Sequence, residues 1–143
     1  MAKRKKATVA QEVEKAAKLL QRYVRLKASD DTGWCTCVTC GKVDHYKAMQ
    51  GGHFYGRRHT VFKLLEENVH PQCAACNQWG MKTTKIQEAY RIYMEDMYGA
   101  RRIRAMQRLA WRSAPKFNRE EVIEFQRKLK EKIKEEEYRI GEI

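Results

Sequence analysis

Cys37-Val-Thr-Cys40 and Cys73-Ala-Ala-Cys76-Asn77 bracket a segment that carries Gln50-Gly51-Gly52-His53 and Asn68-Val69-His70. A two-residue spacer lets both sulfurs of a pair face one ion, and four thiolates close a tetrahedral zinc shell. The segment between the pairs, residues 41–72, is longer than the roughly 15–20 residues of an ordinary double zinc knuckle. The metal therefore clips together a loop that has another task, and the histidine and asparagines indicate which.

His53 follows two glycines and precedes Phe54 and Tyr55. An imidazole with an ordinary pKa of about 6.5 can take a proton from water near neutrality, so beside a phosphate it can act as general base. The alternatives are a histidine that fills a structural slot or one that ligates zinc. The cysteines already complete a zinc shell, and paired glycines let backbone or substrate come close. Asn77 directly follows a cysteine of the metal site, which fixes its backbone. Its carboxamide oxygen is a hard ligand suited to Mg²⁺ or Mn²⁺, or else an N-cap for the following helix. One oxygen cannot easily do both.

At 143 residues with 43% hydrophobic content, the chain suits one domain with helical extensions. No run approaches the ~18 apolar residues that span a bilayer, and no secretory apolar region follows the basic N-terminus. A soluble, cytoplasmic protein with no membrane partner is expected. The five cysteines are an odd number, and metal spacing in four of them fits a reducing compartment, with Cys35 left over. A net charge of +12, from 30 Lys and Arg against 18 Asp and Glu, attracts a polyanion and makes nucleic acid the leading partner. Lys3-Arg4-Lys5-Lys6 forms a basic arm, and Arg101, Arg102, Arg104, Arg108, Arg112, Lys116 and Arg119 follow with no intervening acid.

Apolar residues at three- and four-residue steps predict a helix over 8–28, ended by Asp30-Asp31-Thr32-Gly33. Residues 34–76 lack a helical period and read as short strands and loops, with one helical turn near 61–65. Ile86, Ala89, Tyr90, Tyr93, Met94 and Met97 make a core stripe that stops at Gly99, and a second helix is expected over 100–112. Asn118 and Glu121 have capping-box spacing for a last helix to about residue 138, with a narrow stripe of Val122, Phe125, Leu129 and Ile133. That stripe could dock on the domain or pair with another subunit. Trp34 is expected in the core, whereas Trp79 is open. The divisions are an arm (1–7), a first helix (8–30), a zinc-bound core (31–99) and a basic and C-terminal helical part (100–143) for DNA binding or dimerisation.

CxxC, then GGHF with Arg57 and Arg58, then ENVHPQCAACN, then a helix ending in Tyr98-Gly99 together resemble the NinG/Rap family of phage recombination endonucleases. That family lies within the HNH, or His-Me finger, nucleases, and the resemblance covers about residues 35–100. It implies a mostly helical α+β fold in which a zinc-stapled ββα-metal finger is flanked by an N-terminal helix and C-terminal helices. By position, His53 would be the general base, Asn68 would steady the hairpin loop, and Asn77 would hold the catalytic Mg²⁺ or Mn²⁺. His70 would be a further ligand or phosphate contact, or simply a packed histidine. Many HNH nucleases have an Asp immediately before the base, where this chain has Gly52. NinG-like members often have an acid three residues before it, where this chain has Gln50. Asp44, His45 and His59 are the other nearby candidates.

Arg57 and Arg58 could clamp the scissile phosphate, with Arg101, Arg102, Arg104 and Arg108 as further DNA contacts. The implied activity is a metal-dependent DNA endonuclease leaving 5′-phosphate and 3′-hydroxyl ends. Its implied substrates are Holliday junctions or other branched recombination intermediates, cut by a homodimer in the host cytoplasm. The competing reading is a non-catalytic zinc-finger module that binds DNA and recruits partners. RNA is disfavoured only by the resemblance.

Overall fold

A computed structural model describes residues 2–56, 60–110 and 116–143. Helix α1 spans Val9–Ala28 and begins with a reciprocal cap, Thr8 Oγ1 accepting from the Gln11 amide and Gln11 Oε1 accepting from the Thr8 amide. After it, Asp30 Oδ1 accepts from the Thr32 and Trp34 amides, and Gly33 takes φ 88° to turn the chain into β1, Trp34–Thr36. Strand β2, Val43–His45, pairs antiparallel with β1. Strands β3, Gln50–His53, and β4, Val69–Gln72, form a second antiparallel pair in which His53 faces Val69 and Gly52 faces His70. Short helices α2, Thr60–Lys63, and α3, Ala74–Gln78, precede and follow β4. Helices α4, Thr84–Tyr98, α5, Ala100–Ala110, and α6, Arg119–Arg139, complete a mostly helical α+β protein with two small sheets.

The first and last helices pack on each other. Val13 and Ala16 of α1 meet Val122 of α6, while Leu20 and Val24 share a core with Leu129 and Ile133. Buried Gln126 donates to the backbone oxygen and Oε2 of Glu12 at 2.9 and 2.8 Å, which satisfies a polar pair that would otherwise be costly to bury. Arg139 donates to the Leu26 and Ser29 carbonyls, tying the end of α6 to the end of α1. The narrow stripe on the last helix is therefore covered within the chain, and it leaves that face of α6 unavailable to a partner subunit.

That core also contains Cys35, Cys37, Tyr46, Val69, Cys73 and Cys76, so β4 and the cysteines sit against α1. A second core joins Phe62 of α2, Tyr90 and Met94 of α4, and Ile103 and Met106 of α5. Gly99 at φ 86° separates α4 from α5, as its place after the apolar stripe predicts. Asn118 caps α6 through the Glu120 and Glu121 amides. Trp34 differs from expectation: it is 47% exposed, because β1 alternates and turns Cys35, not Trp34, inward. Trp79 is also exposed. Among the described residues no helix is long and apolar enough to cross a membrane.

Candidate functional site

The four paired cysteines come together. A turn with Gly41 at φ 80° folds Cys37 and Cys40 toward each other, and the Val38 amide donates to the Pro71 carbonyl, which seats this knuckle on β4. Cys73 caps α3, with its sulfur accepting from the Cys76 amide. The ligand atoms of Cys37, Cys40, Cys73 and Cys76 all lie within 4.8 Å of one another, and Cys40 Sγ is 3.7 Å from Cys73 Sγ. A tetrahedral zinc with ~2.3 Å Zn–S bonds has sulfurs about 3.8 Å apart, so the cluster could hold a structural metal such as zinc. Burial opposes ionisation of Cys37, but hydrogen bonds from Thr39 Oγ1 and from nearby backbone amides outweigh it and bring its thiol down to about 6. Burial pushes Cys76 up to about 12. Thiols this close and this different ionise together only with a cation among them. Cys35 lies outside the cluster, buried on β1, where burial raises its thiol to about 11.

β3, β4 and α3 deliver the remaining predicted residues. His53 ends β3 and is 9% exposed, with Nε2 3.4 Å from the Lys63 carbonyl. A carbonyl only accepts, so Nε2 carries the proton and the basic lone pair is on Nδ1. Asn68 is fully buried and braces the loop after β3. Its Oδ1 accepts from the Tyr55 amide at 2.8 Å, its Nδ2 donates to the Tyr55 and Phe62 carbonyls, and its own carbonyl accepts from Phe54. Asn77 is inside α3 rather than at a helix start; Thr83 caps α4 instead. Asn77 Nδ2 donates to Gln50 Oε1 at 2.8 Å, which orients both carboxamides and leaves Asn77 Oδ1 without a hydrogen bond among the described residues. His53 and Asn77 line one cavity of about 230 Å³, together with Gln21, Gly51, Gly56 and Met81. The hard oxygens of Asn77 and Gln50 suit a divalent ion, although the set contains no carboxylate. No motif marks Gln21, which reaches the cavity from α1.

Gly52 has a steric reason for lacking a side chain. A Cβ there would lie 1.8 Å from Oε1 of Gln72, which is fully buried. Gln72 cannot swing away freely, since its Nε2 donates to Thr39 Oγ1 at 3.1 Å and Thr39 in turn contacts Cys37 Sγ at 3.3 Å. The Gln72 amide nitrogen can only donate to Thr39 Oγ1, which leaves Oε1 facing Gly52 with no hydrogen-bond partner among the described residues. The position before His53 is thus filled from across the hairpin.

His70 is not brought to the cavity. It lines a separate hollow with Val24, Cys37 and Tyr98, and both its nitrogens are engaged. Tyr90 donates its one proton to the Gly52 carbonyl at 2.7 Å, so it accepts from His70 Nδ1 at 3.2 Å, and His70 Nε2 accepts from Tyr98 at 2.8 Å. That chain holds the ring neutral, and burial brings its pKa down to about 4. Asp44 and His45 lie on β2 and do not line the cavity. Arg102 forms a bidentate pair with Glu67 at 2.8 and 2.6 Å, so it is a structural clamp rather than a free cation. Arg101, Arg104 and Arg108 are exposed at helical spacing along α5, with no ion pair among the described residues. Arg57, Arg58, His59 and Arg112 lie outside the described residues.

Gly52→Ala should cost about 1–3 kcal/mol by overpacking, and Gln72→Ala in the same chain should recover more than it loses. A double-mutant cycle by urea unfolding checks this, and strict additivity would refute the contact. His70 has a second, pH-dependent consequence. Its folded pKa near 4 is below the unfolded ~6.5, so the unfolded chain binds the proton more tightly between them. Its contribution is complete above about pH 6.5 and is lost as pH falls toward 4, by about 3 kcal/mol in all. Zinc-loaded His70→Phe should therefore lose less stability than wild type between pH 7 and pH 5, and equal slopes would contradict the buried neutral ring.

No match to a curated protein or to a solved structure was found. The family model described as NinG: Bacteriophage Lambda NinG protein matches residues 1–138. With almost the entire sequence included in that match, the chain belongs to the family of the bacteriophage lambda NinG protein.

Proposed function

We propose that the chain is a metal-dependent endonuclease that hydrolyses phosphodiester bonds in DNA, with branched recombination intermediates such as Holliday junctions as its substrates. The observation that carries this reading is that His53 from β3 and Asn77 from α3 line one cavity. The succession of hairpin β3–β4 and helix α3, with the cysteine cluster at the β4–α3 junction, supports reading this part as a ββα finger of the HNH type. Membership of the NinG family and the net charge of +12 support a nucleic-acid substrate.

In this mechanism His53 Nδ1 takes the proton of the attacking water, while Nε2–H stays on the Lys63 carbonyl and sets the ring plane. Asn68 holds the loop after His53, so its part is positioning. Asn77 Oδ1 and Gln50 Oε1 would hold Mg²⁺ or Mn²⁺, and Gln50 keeps the Asn77 amide turned the right way. The bound ion would supply charge stabilisation for the phosphorane-like transition state and the departing 3′ oxygen. The cysteine metal takes no part in the chemistry. The Arg101, Arg104 and Arg108 face and the exposed Lys3–Lys6 arm supply phosphate contacts that need no particular base sequence.

Four-way junction, duplex and single-stranded DNA should be incubated with zinc-loaded protein and added Mg²⁺ or Mn²⁺. Wild type should cut the junction, leaving 5′-phosphate ends. His53→Ala should cut at least about 10²-fold more slowly with unchanged DNA binding, and Asn77→Ala should need more Mg²⁺ for half-maximal rate. Wild type that binds DNA but cuts none of these substrates would overturn the reading in favour of a non-catalytic DNA-binding module.

A further inference from the structure

We infer that Gln21, on the first helix, is a substrate-contacting residue of the cavity that His53 and Asn77 line, its carboxamide donating a hydrogen bond to a non-bridging oxygen of the attacked phosphodiester. The inference rests on the proposed nuclease reading and adds an element that no motif in the hairpin contains.

Strand alternation puts Gly51 and His53 on the same face of β3. Helix α1 presses against that face at Gly51: a Cβ at position 51 would lie 2.6 Å from Gln21 Cβ, 2.7 Å from its Cγ and 2.9 Å from its Cα. The backbone contact means that the helix itself, not just a movable side-chain tip, occupies the space. Gly51 is therefore what lets α1 come close enough for Gln21 to lie across the strand and line the cavity with His53 and Asn77. Arg25, one turn on, fixes the helix at this point by donating to the Tyr46 and Met49 carbonyls at 3.0 and 3.1 Å, immediately before β3 begins. Among the described residues the Gln21 carboxamide has no hydrogen-bond partner, and its stem lies over Gly51. A neutral N–H donor in the lining that also holds His53 and Asn77 fits an anionic phosphate oxygen and needs no counter-charge.

Gln21→Ala and Gln21→Glu should be compared with wild type and His53→Ala on a four-way junction, with kcat, KM, Mg²⁺ dependence and unfolding midpoint measured in zinc-loaded protein. Gln21→Ala should lower kcat on the order of 10²-fold at an unchanged midpoint. Gln21→Glu should be worse, because a carboxylate repels the phosphate while keeping the shape. Full activity in Gln21→Ala would overturn the inference, and so would a Gln21→Glu enzyme that keeps its rate and needs less Mg²⁺, since that residue would then be facing the cation. Should Gln21→Ala unfold early, the side-chain amide resonance of Gln21 in wild type is read instead, with a phosphorothioate junction added; a shift supports the contact and an unmoved signal overturns it. Wild type and His53→Ala both inert would sink the nuclease reading and this inference with it, whereas an active wild type matched by Gln21→Ala sinks this inference alone.

Discussion

The cysteine cluster is the constraint on which the rest depends. It joins two pieces of chain, the knuckle after β1 and the junction where β4 becomes α3, which are otherwise linked by the Val38–Pro71 and Gln72–Thr39 hydrogen bonds. Each sheet has only two strands, and α3 covers just Ala74–Gln78, so neither is stable alone. Holding four sulfurs at metal distance fixes the start of α3 to within one turn. Asn77 follows Cys76, so the same constraint brings its carboxamide to Gln50 on β3. The thiols lie close enough for a cation to stabilise their shared charge, so binding a metal there would be part of folding rather than an addition to it.

Two hydrogen-bond chains run into the strand that carries His53, one from this clip and one from the end of α4. Through Thr39 and Gln72, one reaches the space beside Gly52. Through Tyr98, His70 and Tyr90, the other ends on the Gly52 carbonyl. Gly52 is thus held from both sides, by a steric contact and by a donor. A residue that at first reads as a missing acid is where the metal cluster and the α4 aromatics meet the strand. The metal-binding oxygens proposed are consequently neutral ones, from Asn77 in the cavity and from Gln50 hydrogen-bonded beside it.

Much of this was legible in the sequence, because the informative signals are local. CxxC spacing gives the cluster, period-3.6 stripes give α1, α4 and α6, and Gly99 gives the α4–α5 break. Asn68 could be assigned to the loop by its resemblance to a known motif, and it does brace that loop. Other features depended on tertiary contacts that spacing does not encode. Spacing leaves His70 open between a ligand and a packed histidine, and it is Tyr90 and Tyr98, distant in sequence, that engage both its nitrogens. In sequence Arg102 is indistinguishable from its neighbours, and only the fold sets Glu67 beside it. Trp34 is expected in the core, whereas the alternation of a three-residue strand turns it outward. Gln21 had no signal at all, since only the approach of α1 over Gly51 brings it to the site.

The claim that the metal clip organises the site is tested most directly by adding Zn²⁺ to metal-free protein and following near-ultraviolet circular dichroism and thermal unfolding together. One zinc per chain should restore both fixed aromatic signals and a cooperative transition, and Cys40→Ser should abolish both. A metal-free protein that already unfolds cooperatively at the same temperature, with the same aromatic signal, would contradict it.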